Sequence, residues 1–467
     1  MIQMKAINEG RIGGSFRDPS GFTFVKGGTI YRQINKVGQS NFDCLISSGL
    51  YDSLVEKGWL VPHKDVDIGF PEIQTAYKVI QPKEILFISY PYEWCFSQLL
   101  DAAMLTLEIQ KEAIRYGMSL KDSSAYNIQF DPVSGKPILL DTLSFEILKK
   151  NQPWIAYRQF CQHFLVPLAL MSYSDVRLSQ LLRVYIDGVP LDLGSRLLPI
   201  RSFFRLGLVT HIHLHAKTQL RYSDKQMDLE KVPRRITKNQ LLGIIDSLSR
   251  TVSKLKWIPT GTEWGDYYKY TNYTESAFQR KVEIVNDLVE LVNPESVWDL
   301  GANTGVLSRL VSRKGVVTIA FDIDPAAVEQ NYLLAKQHND TNLLPLLLDL
   351  TNPSPSLGWN NQERYSIQER GQADMVLALA LIHHLAIANN IPLPDLGYFF
   401  SQLSPWLIIE FVPIDDPQVE RLLSSRENIF PNYTFEGFEE AFIKFFVIQK
   451  AVNIQESNRR IYLMKRI

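Results

Sequence analysis

The residues best placed by type and spacing to do chemistry run Asp299-Leu300-Gly301-Ala302-Asn303-Thr304-Gly305. A short apolar segment delivers the Asp299 carboxylate to a glycine turn, and Gly305 opens a helical pattern. Glycine lets a backbone approach a ligand closely, and a helix N-terminus offers N–H groups without intrahelical partners. Asp322 closes the next strand-like run, 17 residues beyond Gly305. A carboxylate there accepts both hydroxyls of a ribose, and Asp349, closing a third run, stands over the expected base. The pattern reads as a nucleoside site. A dinucleotide fingerprint would need G-x-G-x-x-G, which Ala302-Asn303-Thr304 does not supply.

This constellation resembles the S-adenosylmethionine (SAM) site of class I methyltransferases, over roughly residues 261–467. The resemblance implies SAM as cofactor. Asp299, Gly301, Asn303 and Gly305 would cradle its methionine portion, Asp322 would hold the ribose, and Asp349 and Leu350 would meet the adenine. Asn303 departs from the glycine many members carry there. Asparagine tolerates left-handed backbone better than other non-glycine residues, so the turn is expected to survive.

Methyl transfer is an in-line displacement, so the enzyme must align a nucleophile and, where needed, remove its proton. The fourth apolar run, 374–382, leads into His383-His384, and the fifth, 407–411, carries Glu410. These three are the catalytic candidates; a histidine with its ordinary pKa near neutrality suits a general base. The competing reading makes one histidine a buried hydrogen-bonding residue and the other a helix-start contact. No N/D-P-P-Y tetrapeptide follows the fourth run, which weighs against amino-directed nucleic-acid methyltransferases. The aromatic stretch 264–273 reads equally as a lid over the site or a brace on the sheet.

A second cluster lies in the N-terminal half. Asp122 and Asn127 have D-x-x-x-x-N spacing, and Asp141 ends the next apolar strand. In phosphotransferases the first carboxylate orients the acceptor hydroxyl while Asn and the second Asp hold magnesium on ATP. The segment resembles the catalytic loop of protein-kinase-like and aminoglycoside-kinase-like proteins. Lys121 stands where His or Arg is usual, Asp141-Thr142-Leu143 is not D-F-G, and no convincing Gly-rich loop or strand lysine appears. The expectation is a kinase-like fold without phosphotransfer, with Mg-ATP a cofactor only if this half is active. A bifunctional kinase–methyltransferase is the alternative, and a plain turn ordering a β-hairpin is the structural one.

Behind these residues stand the elements that must position them. Segments 296–300, 316–321, 343–348, 375–380 and 406–411 are strand-like, with helical patterns at 304–313 and 325–337. Segments 443–449 and 460–464 flank a polar turn and read as a hairpin. Such alternation, with acids at strand ends, predicts an α/β fold: a doubly wound Rossmann-like sheet with a terminal antiparallel hairpin. Upstream, 21–34 reads as a hairpin turning at Gly27-Gly28, 76–80 and 85–90 as strands, and 96–116 as a long helix. The half 1–195 is therefore expected to be an α+β kinase-like domain, followed by a connector, 196–260, and the methyltransferase domain, 261–467.

The 467 residues carry a net charge of -1, with 45% hydrophobic and 21% charged side chains, which excludes a disordered chain. The connector alone holds 13 Lys/Arg against 4 Asp/Glu. It could dock on RNA or an anionic surface, giving an RNA methyltransferase as a further alternative, although such runs are more often solvated. Three scattered cysteines fit a reducing compartment. No apolar signal core opens the chain and no apolar run is long enough to span a membrane, so the expected location is cytoplasmic. His211, His213 and His215 would share a face if extended, but lack a fourth ligand nearby, and no metal site is expected. Taken whole, through 121–145, 156–173, 299–324 and 377–384, the chain resembles bacterial nodulation-protein-type methyltransferases. That resemblance implies a small-molecule, saccharide or glycolipid acceptor methylated on oxygen.

Overall fold

Gly27 and Gly28 both adopt positive φ, 59° and 73°, as a two-residue type I′ hairpin turn requires. They join β2 (Gly21–Lys26) to β3 (Thr29–Asn35). With β1 (Gly10–Arg11), β4 (His63–Asp65) and β5 (Ala76–Pro82) these form an antiparallel sheet in the order β1-β2-β3-β5-β4. The computed structural model describes residues 9–217, 236–259, 274–424 and 429–467. The predicted strand 85–90 is not one. Its Phe87 is fully buried edge-on against Trp298 and Phe321 of the other half, at 5.6 and 5.9 Å between ring centroids. Aromatic packing across the chain, rather than a strand ladder, fixes that segment.

The helix Phe96–Arg115 follows, with apolar side chains buried on most of its circumference. Two small antiparallel pairs come next, β6 (Met118–Leu120) with β9 (Phe145–Ile147), enclosing in sequence the hairpin of β7 (Ile128–Phe130) with β8 (Pro137–Leu139). They frame the turn that carries Asp122 and Asn127.

The predicted α/β sheet is present. β10 (Ser296–Leu300), β11 (Val317–Asp322), β12 (Leu343–Leu347), β13 (Met375–Ala378) and β14 (Trp406–Phe411) are parallel. β15 (Phe446–Asn453) and β16 (Arg460–Arg466) complete a seven-stranded sheet in the order β12-β11-β10-β13-β14-β16-β15. β16 is the strand that runs antiparallel to β14, and β15 takes the edge. Strand order reverses between β10 and β13, the switch point at which open α/β sheets bind ligands.

Side chains alternate across this sheet, as a strand repeat of two dictates. Val297, Met375, Leu377 and Ile408 pack on Val285 and Leu288 of the helix Glu275–Val292. Trp298, Leu300, Ile319, Phe321 and Val376 face the other way, into a core they share with Phe87, Trp94 and Leu99 of the N-terminal half. Polar contacts reinforce the joint. Ser97 N–H and hydroxyl donate to Glu329 at 3.0 and 2.5 Å, and Asp101 accepts from Tyr332 and Lys336 at 2.8 and 2.6 Å.

Within 196–260 the helix Lys238–Val252 buries Leu241, Ile245, Leu248 and Val252, against the long helix Phe96–Arg115 among other elements, and leaves its basic residues outside. The histidine triplet is helical, not extended. His211 bonds Tyr157 and Ser247 hydroxyls at 2.7 and 2.9 Å; His213 bonds those of Ser195 and Ser202 at the same distances. Both rings are thus spent on structure. Among the described residues no helix is long and apolar enough to cross a membrane.

Candidate functional site

Asp299 is delivered by β10, the central strand, and its Oδ2 accepts the Ser308 hydroxyl at 2.6 Å. The turn that follows is left-handed at Gly301, Asn303 and Gly305 (φ 79°, 51° and 75°), so Asn303 does take the conformation its side chain tolerates. At the end of β11, Asp322 receives the Asn303 N–H on Oδ2 at 2.7 Å and the Asp324 N–H on Oδ1 at 2.9 Å. The first and second strands are thereby tied through one carboxylate. Beyond β12, Asp349 Oδ1 accepts the N–H and hydroxyl of Thr351 at 2.8 and 2.7 Å.

These groups line one cavity of about 320 Å³ at the carboxyl ends of β10–β13, a volume within the range of small-molecule sites. Asp299, Gly301, Asn303, Asp322, Asp349, Leu350 and His384 all reach it. Burial pushes the Asp322 carboxyl up to about 6 against the pull of its backbone donors. Asp299 is also raised to about 6 by burial, with Ser308 and Lys281 pulling it back and Asp322 pushing it up.

Three sequence candidates sit elsewhere. Gly305 does not line the cavity. A Cβ there would lie 2.3 Å from the Asn331 side chain, so close packing demands this glycine. His383 is buried behind its neighbour, and burial holds its pKa well below the ordinary value. Glu410 is fully buried in an ion-pair network, 2.6 Å from Lys281 Nζ and 3.2 Å from Arg459, which in turn holds Asp416. That network fastens β14 to the helix Glu275–Val292 and to the hairpin; its Lys281 lines the cavity, whereas Glu410 itself does not. His384 does reach the cavity, but burial and Arg459 lower its pKa to about 4. The near-neutral base expected from the sequence is instead an imidazole that stays neutral.

Among the lining residues that sequence reasoning did not single out, Lys281 and Ala380 stand out. Lys281 sits among Ala277, Ile284, Val285 and Leu288 on the buried face of its helix; a lysine in an apolar stripe is the signal that could have found it. Ala380 has φ 52° and, with Glu456, which does not line the cavity, is one of two left-handed residues among the described residues that are neither Gly nor Asn. Such backbone persists where the surroundings over-determine it. The aromatic stretch 264–273 lies outside the described residues.

The second cluster lines a separate cleft of about 620 Å³ between the antiparallel sheet and the helical part of the N-terminal half. Asp122, Asn127 and Asp141 are all on its wall. Asp141 is ion-paired with Arg32 of β3 at 2.8 Å, and Asn127 donates its amide to Ser144 at 3.3 Å.

No protein-family model matches the chain. Among solved structures, magnesium protoporphyrin IX methyltransferase of Synechocystis PCC 6803 with bound SAH is 17% identical. That match covers 41% of this chain and 84% of that one at a TM-score of 0.30. The bifunctional kinase-methyltransferase WbdD is 15% identical, covering 41% of this chain and 40% of that one at 0.28. Strand order and register, not these superpositions, assign the Rossmann-like fold. A curated relative, nodulation protein NoeA of Rhizobium meliloti (strain 1021), is 36% identical over 469 residues, spanning 99% of this chain and 97% of its own. With that identity held from end to end through both halves, the chain belongs to the NoeA family of nodulation proteins.

Proposed function

We propose that the chain is a SAM-dependent methyltransferase acting on a hydroxyl of a small-molecule, saccharide or glycolipid acceptor. One observation carries this reading: of the residues whose spacing suggested a nucleoside site, all but Gly305 converge on a single cavity at the switch point. The donor set fits the cofactor. Gly301 leaves the turn without a side chain, and three carboxylates, Asp299, Asp322 and Asp349, give the cavity a negative lining suited to a cation.

When bound, SAM supplies a methyl group on positively charged sulfur. Asp322 holds the ribose: one backbone N–H sits on each oxygen, and each oxygen can accept a second donor. The Gly301–Gly305 turn receives the amino-acid portion, with Asp299 held in place by Ser308. Asp349 and Leu350 flank the base. His384, neutral at physiological pH, accepts the hydrogen of an acceptor hydroxyl and orients its oxygen. Leu379, Leu381 and Leu385 exclude water around it.

The kinase alternative gains nothing from the cleft, because the carboxylate expected to hold magnesium is already paired with Arg32. Calorimetric titration of the full chain with SAM tests the main reading. Binding is expected, weakened about tenfold or more (~1.4 kcal/mol) by Asp322→Ala. No binding at millimolar SAM, or binding indifferent to that substitution, overturns it.

A further inference from the structure

The cleft of the N-terminal half is the larger of the two cavities, and methyl transfer makes no use of it. We propose that it is a metal-independent binding site for a hydroxyl-bearing oxyanion, of the sugar phosphate or sugar acid class, with one wall supplied by the loop between β12 and β13.

Five residues on its wall carry a buried polar atom without a hydrogen-bond partner: Arg32 Nε, His63 Nδ1, Thr142 Oγ1, His163 Nδ1 and Arg364 Nε. His163 and Thr142 are 1% and 4% exposed. Buried polar groups are ordinarily satisfied; these atoms lie just behind the wall rather than on it, so a ligand meets the outer atoms of the same side chains, and a small side-chain turn would bring the orphaned ones to it. The two guanidinium N–H groups are donors only, so they call for an acceptor-rich group. Burial holds His163 near a pKa of about 3, leaving its ring neutral and able to bond a hydroxyl.

Charge distribution narrows the ligand. Of the wall's five cations, Arg17 is engaged by Glu363, Arg32 by Asp141 and Lys121 by Asp18, and Lys83 is exposed. Arg364 has no carboxylate partner among the described residues. It donates to the Glu363 carbonyl at 2.8 Å and lies 4.3 Å over the Tyr126 ring. A planar guanidinium so held is a natural receptor for phosphate or carboxylate. Asp122 receives the Ser124 N–H on Oδ1 at 2.9 Å and, like Glu84 on the same wall, offers an acceptor for ligand hydroxyls. An oxyanion at one end and hydroxyls at the other satisfy both sets. With Arg32 2.8 Å from Asp141, the guanidinium supplies there the positive charge that a divalent ion would otherwise bring.

The wall formed by Glu363, Arg364 and Tyr365 belongs to the sheet-bearing half. It is held by the bidentate Arg17–Glu363 pair at 3.0 and 2.8 Å and by the Tyr365 N–H donated to the Tyr90 hydroxyl at 2.7 Å. The same loop begins with Asp349 and Thr351 in the other cavity. The proposal does not depend on the methyltransferase reading.

Titration of the full chain in EDTA with glucose 1-phosphate, glucuronate, glucose and inorganic phosphate tests it. Glucose 1-phosphate or glucuronate is expected to bind at least tenfold more tightly than glucose or phosphate alone, and the preferred anion names the oxyanion. Arg364→Gln and Asp122→Asn should each weaken that binding about tenfold. An unchanged circular-dichroism spectrum and melting temperature in both would report an intact fold. Failure of both sugar anions to bind at millimolar concentration overturns the proposal. So does binding that appears only with magnesium, or binding indifferent to both substitutions.

Discussion

Arg370 and Glu93, 277 residues apart, form a bidentate ion pair with both side chains removed from water, at 2.8 and 2.5 Å. Arg370 also donates to the Ile88 carbonyl at 2.8 Å and lies over the Phe87 and Tyr90 rings, while Ser354 donates to Glu93. A buried charge stripped of its partner is costly. Arg370→Ala is therefore expected to lower stability by about 3–5 kcal/mol. Replacing both partners together with apolar residues should recover much of that loss. Urea unfolding of the parent and the two variants checks this.

Burial raises the Asp322 and Asp299 carboxyls to about 6. A protonated carboxyl loses acceptor capacity, so SAM affinity should be full above about pH 6 and fall below it. Two such groups give a limiting slope approaching about two decades per pH unit, reduced to about one in Asp322→Asn. Calorimetry between pH 5 and 8 reads the slope directly.

For the free protein the sign is opposite. A folded-state pKa above the unfolded value means that the folded chain binds more protons between about pH 4 and 6. These two groups thus favour folding as pH falls through that window. Asp299→Asn should stabilise the unliganded chain at pH 7.5 by about 1–3 kcal/mol, and the gain should shrink by pH 4.5. Melting curves of the variant and the parent at both values decide it.

His384 is expected to matter for turnover rather than for cofactor binding. His384→Ala should reduce kcat by about 100-fold with SAM affinity within about threefold. Because burial and Arg459 lower its pKa to about 4, the rate profile should show no limb near 6.5 from this residue. Such a limb, abolished by the substitution, would refute the assignment.

Ala380 holds a left-handed backbone at the mouth of β13. Glycine adopts that conformation without steric penalty, at some entropic cost in the unfolded chain. Ala380→Gly should therefore raise stability by about 0.5–1 kcal/mol. Its freer backbone should also loosen the wall formed by Leu379 and Leu381, visible as a lower kcat.

Much of the sheet was legible before any coordinates. Apolar runs ending in Asp299, Asp322 and near Asp349 carry strand periodicity and chemistry in the same few residues, so β10–β12 and the cavity lining could be read together. Strand 85–90 could not. Its alternation resembles a strand, and only the aromatic contact of Phe87 with Trp298 and Phe321 shows why the ladder is absent. Glu410 misled for a related reason: an acid at a strand end looks the same whether it faces a ligand or Lys281 and Arg459.

The amino-acid order by itself determined the local grammar: which runs become strands, where glycine or asparagine must turn left-handed, and which carboxylates stand at strand ends. Tertiary structure decided which of those groups meet. His384 lines the cavity and adjacent His383 does not, and Gly305 packs on Asn331 rather than serving the cavity. The even face of β10 is a core shared with residues some 200 positions upstream. The physical reason is that periodicity and turn chemistry act over a few residues, whereas burial, ion pairing and pKa depend on neighbours brought from anywhere in the chain.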